Sequence, residues 1–86
     1  MPTPTIGRIV HVLGISSNGA IVHPAMITRV WSETTVNLTV LPDCGDPKCF
    51  TSVGLCADET TANHYIAKAH EKGNPAAVVA FWPVRT

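Results

Sequence analysis

Apolar and polar residues alternate through most of this chain, most regularly in Val36-Asn37-Leu38-Thr39-Val40. Three aliphatic side chains there share one face, and Asn37 and Thr39 share the other. A strand with one dry and one wet side has this period. Ala25 to Trp31 is similarly rich in β-branched and apolar residues, and the polar run Ser32-Glu33-Thr34-Thr35 separates the two segments. The spacing predicts a hairpin of strands 25–31 and 36–41.

Ile6 to Leu13 reads as an earlier strand with Ile6, Arg8, Val10 and Val12 on one side and Ile9, His11 and Leu13 on the other. Both sides are largely apolar, as in a strand covered on two faces. Asn18-Gly19 signals a turn, because both residues tolerate positive φ. A short returning strand over 20–23 is then expected to stop at Pro24, which lacks a ladder N–H. His11 is read as a strand-face histidine and His23 as a loop histidine. The run PDCGDPK over 42–48 is a loop, and 49–55 returns to strand composition with Gly54 as a candidate bulge.

From Asp58 to Lys72 the period changes, and Ala62, Tyr65, Ile66 and Ala69 recur at helical spacing. Asp58 or Thr60 is positioned to cap a helix over about 60–71, and Gly73 and Pro75 to end it. The apolar run 76–82 completes the pattern as a last strand closed by Pro83. Residues 1–5, with two prolines and no periodicity, are expected to form a loose arm. Five short strands with one helix inserted before the last predict a single mainly β domain over 1–86. Closure hides edges that so small a flat sheet would expose, so a five-stranded antiparallel SH3-like barrel is expected. The alternative is a meander sheet with the helix across one face.

Composition narrows the function classes. Hydrophobic residues make up 45% of a chain of 86 residues. A domain this small hides only roughly 60% of the surface of its unfolded chain. Apolar surface covered by a second copy, giving a homo-oligomer, is therefore expected. Six basic residues balance six acidic ones, which argues against neutralising many phosphates of a nucleic acid backbone. No apolar run approaches the ~20 residues of a membrane span. The N-terminal segment has no charged and apolar signal pattern, and the cysteine count is odd, so the expected location is the cytoplasm.

The chemistry-bearing residues are scattered. Cys44, Cys49, Cys56 and His64 are weak candidates for zinc, because Cys44 and Cys49 have no matching second pair and His64 and His70 project about 120° apart on a helix. The alternative reading makes Cys44 and Cys49 loop thiols and Cys56 a small buried hydrophobe. No nucleophile motif, nucleotide-binding glycine loop or paired-carboxylate signature is present, so a non-enzymatic protein without a cofactor is expected. The few aromatics fall at strand ends, with Trp31 near Arg29 and Trp82 near Arg85. Indole beside guanidinium suits a partner contact or a flat ligand, so Arg29, Trp31, Trp82 and Arg85 are the candidate binding residues. The alternative is that Trp31 and one of Phe81 and Trp82 fill the core.

Gly7-Arg8-Ile9-Val10-His11, Pro24, Val30-Trp31, Val36-Asn37-Leu38-Thr39-Val40, Thr51-Ser52-Val53 and Trp82-Pro83 together resemble a family of small bacteriophage-encoded proteins, many of which end in Trp-x-Trp-Pro. Ala80 replaces the first of those tryptophans here, and the cysteines and helix between Cys44 and Lys72 depart from the pattern. The family has no assigned function; the phage resemblance together with the lack of catalytic machinery leads to the expectation of an accessory protein that binds a host factor, or that sequesters a small nucleotide-type immune signal as an anti-defence device in the host cytoplasm. The alternatives are a virion component, such as a capsid decoration or head–tail protein, and a zinc-stapled adaptor.

Overall fold

The computed structural model describes residues 3–15, 19–42, 45–74 and 77–83. Its elements in chain order are β1 (Ile9–Leu13), β2 (His23–Ser32), β3 (Thr35–Val40), β4 (Lys48–Cys56), α1 (Glu59–Glu71) and β5 (Val79–Phe81). The strands close into a barrel in sequence order, with β5 returning to β1. This is the SH3-like barrel with one helix before the last strand that the periodicity predicts.

Four seams are antiparallel, and the fifth, between β4 and β5, is parallel. The cause is α1: a helical crossover returns the chain to the end from which it set out. The all-antiparallel expectation is corrected at this seam. Along β5 and just past it, Ala80 and Trp82 belong to the barrel core, while Val79 and Phe81 pack outside it with Leu13, Ala62 and Ile66. Burial on both sides explains why the run has no polar alternation.

The barrel core contains Val10, Val12, Ile27, Val36, Leu38 and Val40, each at most 1% exposed. These are the inward positions of β1, β2 and β3, and deleting one such side chain costs about 2–5 kcal/mol. On α1, Ala62 is buried and Ile66 half-buried, whereas Tyr65 is exposed. The helix therefore packs by a narrower stripe than its spacing predicts. Its N-cap is Asp58, whose side chain accepts the Thr61 N–H, and Gly73 follows it with φ of 83°.

Other expectations need correction. The strand expected to stop at Pro24 continues through it, and Pro24 pairs with His11. The carbonyl of Pro24 accepts the Leu41 N–H, so its missing donor faces the neighbour just beyond the end of β3. His23 is no loop residue. It is buried as the first residue of β2, and its Nε2 lies 3.0 Å from the carbonyl of Ile15. Pro4, in the arm expected to be loose, is buried. Asn18 of the Asn-Gly turn and the start of the 76–82 strand lie outside the described residues, and within that run the strand spans only Val79–Phe81.

Candidate binding surface

Asn37 lies at the centre of the outer face of β2, β3 and β4, where the strands are out of step on both sides. In the β2–β3 ladder, Ile27 pairs with Leu38 but Arg29 pairs with Asn37, so β2 carries Thr28 as an extra residue. A second shift between Val30 and Ser32 makes Trp31 extra as well. In the β3–β4 ladder, Val36 pairs with Val53 and Leu38 with Phe50, which leaves Asn37 facing both Thr51 and Ser52. A bulge re-aims side chains and twists its strand. Here it also frees the Ser52 N–H, and Ser52 takes a φ of 53°.

The carboxamide oxygen of Asn37 accepts the Ser52 N–H at 2.8 Å and the Trp31 indole N–H at 2.8 Å. One side chain thus fastens the bulged β4 backbone and the indole on β2. Trp31 is 53% exposed. The Arg29 guanidinium carbon lies 3.9 Å from its centroid, a stacked cation–π arrangement worth about 0.5–1 kcal/mol on an exposed face. The ring is therefore held at its polar edge and covered on one face, and its remaining surface stays open to solvent.

Beside this cluster runs a row of side chains that is apolar at its Ile9–Met26 end. Ile9 pairs with Met26, Met26 with Thr39 and Thr39 with Cys49, so four outward side chains line up across four strands. Ile9 and Met26 are each more than 40% exposed. The Thr39 hydroxyl and the Cys49 thiol are 3.6 Å apart.

Of the candidate residues, the fold joins Arg29 to Trp31. It does not add Trp82, which is 5% exposed within the barrel core and carries the Arg8 guanidinium 5.2 Å from its ring centroid. Trp82 is corrected from an open stacking platform to a core residue, because the position after β5 turns inward. Arg85 and Cys44 lie outside the described residues. Cys49 and Cys56 stand near opposite ends of β4, roughly 20 Å apart at about 3.3 Å per residue, too far to share one metal ion. His64 is exposed on α1, and among the described residues no three His, Cys, Asp or Glu side chains gather as a metal site.

Asn37 and Ser52 were not among the candidates. The only signal for Asn37 is a carboxamide where Thr would serve equally well on a wet strand face. Ser52 gives none, since its role depends on a register shift between strands.

Two clefts among the described residues lie away from this surface. One of about 330 Å³ runs between Leu13, Ile15 and Ile21 and the α1 residues Asn63, Ile66 and His70. The other lies along α1 at Tyr65, Lys68 and Lys72. No helix among the described residues is long and apolar enough to cross a membrane. Comparison with family models, curated proteins and solved structures returns no match.

Proposed function

We propose that this protein is a non-enzymatic binding module, of the accessory kind its phage resemblance implies, and that it engages a protein partner through the outer face of β2, β3 and β4. The observation that carries this reading is Trp31: a large, half-exposed ring fixed by Asn37 on the outer sheet face, near the end of β2. Exposed aromatic and arginine side chains that are already ordered lose little entropy on binding, which suits them to anchor contacts.

The same geometry favours a protein partner over a small nucleotide. The guanidinium leaves a base at most one face of Trp31 for stacking, and the ring lies on a sheet surface, away from the clefts described above. Small-ligand sites are typically concave and enclose most of their ligand. Titration with cyclic nucleotides and ADP-ribose, followed by indole emission, is expected to give no saturable change. Capture of a bacterial protein by the wild type, lost with Trp31→Ala at unchanged circular dichroism, supports the module. Saturable nucleotide quenching that Trp31→Ala removes would replace the protein partner with a small ligand.

A further inference from the structure

We infer that the partner recognised by this face carries a carboxylate, presented by an extended segment whose neighbouring side chains are apolar. This rests on the reading of Trp31 as a contact residue and specifies its chemistry. Arg29 is the only charged residue among the outward positions formed by the Ile9–Met26–Thr39–Cys49 row and the Arg29–Trp31–Asn37 cluster. Among the described residues it forms no ion pair, and its guanidinium rests on the Trp31 indole. A planar guanidinium resting on a ring keeps N–H groups at its edge free, in the fork that matches a carboxylate. Stacking also fixes the fork before binding, so less freedom is lost when the acid arrives.

The apolar row supplies the second half of the recognition. It lies beside the Arg29–Asn37 pair on the same sheet face, with Thr28 as the extra residue between them. A segment lying across the strands can therefore place an aliphatic side chain on Ile9 and Met26 while its acid reaches Arg29. Charge argues against a second copy of this chain as the occupant. A two-fold contact sets the same patch against itself. It would bring two guanidinium groups together on a face whose strand positions hold no acid, Glu33 and Asp46 lying in the loops at its borders, and like charges in a desolvated contact are unfavourable.

A displayed library of random heptapeptides, selected on wild-type protein and counter-selected on Trp31→Ala, tests this directly. The expected winners are enriched in Asp or Glu next to Leu, Ile or Val. Synthetic winners should weaken by about tenfold or more when the acid becomes its amide or when Arg29 becomes Gln, and should weaken with added salt. Arg29→Lys, which keeps the charge but loses the fork, should recover only part of the affinity. Winners sensitive to Trp31→Ala but without acids, or indifferent to Arg29→Gln, would overturn the carboxylate and leave the contact surface standing. A selection yielding no Trp31-dependent peptide would remove both. A dimer in sedimentation that Met26→Asp or Trp31→Ala dissociates would make the second copy the occupant and overturn the inference.

Discussion

Asn37 and Trp31 are joined by one hydrogen bond of 2.8 Å from the indole N–H to the carboxamide oxygen, and the same oxygen holds the Ser52 backbone. The exposed ring and the bulge on the opposite strand thus depend on one acceptor. Asn37→Ala removes it and should cost about 1–2 kcal/mol, two neutral hydrogen bonds at a partly solvated site. Ser52→Gly suits the left-handed φ of 53° and should be neutral or stabilising by up to about 1 kcal/mol. Urea melts of both variants and the double variant check this. A stable Asn37→Ala protein with unchanged Trp31 emission would show that the bond fixes nothing.

Gly14 and Ala77 are in a closer relationship than any side chain allows. Gly14 has φ of 108°, and a Cβ placed there would collide with the Ala77 carbonyl oxygen. Relief would require β1 and the chain entering β5 to separate at the seam that closes the barrel. Gly14→Ala should therefore cost roughly 2–4 kcal/mol. Gly54, where an added Cβ would meet nothing within 4 Å, should accept Ala with a change below about 1 kcal/mol. Equal midpoints for the two variants in denaturant would contradict the close approach.

Much of this barrel is legible in the alternation of side chains, because Val36, Leu38 and Val40 repeat without interruption and β3 forms as its pattern predicts. The registers are less legible. Thr28, Trp31 and the Thr51-Ser52 pair each break a ladder, and no local property of those residues says which will be the extra one; that depends on how far the neighbouring strand twists to close the barrel. Pro24 misleads for a related reason, since its missing N–H faces Leu41, one residue past the end of β3, where the ladder has already finished. Trp82 is the clearest divergence. Its sequence environment matches that of Trp31, with an arginine nearby, but Trp82 enters the core because it continues a strand buried on both sides.

The two described cysteines should differ in reactivity. Burial, and secondarily the negative charge of Asp58, push the Cys56 thiol up from its ordinary value, whereas Cys49 is exposed. The thiolate is the reactive form. In a Cys44→Ser background near neutral pH, a maleimide should therefore label Cys49 faster by about tenfold or more. Asp58→Asn should accelerate Cys56 and leave Cys49 unchanged. Peptide mapping of the labelled protein decides it, and equal rates at the two thiols would refute the assignment.

Asp58 links the helix start to pH. Its carboxylate accepts the Thr61 N–H at 2.8 Å, and that backbone hydrogen bond, assisted by the Thr61 side chain, holds its carboxyl below the ordinary 3.8. A carboxyl lowered on folding stabilises the folded state fully above its unfolded value and loses that contribution as pH falls through the folded one. The Asp58 contribution should thus be constant near neutrality and fade only below about pH 4. Asn at position 58 still offers a capping oxygen but cannot titrate. Wild type and Asp58→Asn should therefore converge in thermal midpoint on acidification, and Asp58→Ala should lie below both at neutral pH with reduced helical circular dichroism. The other carboxylates titrate in all three proteins and cancel in the difference. A constant gap between wild type and Asp58→Asn down to about pH 2 would mean that the cap does not depend on the ionised form.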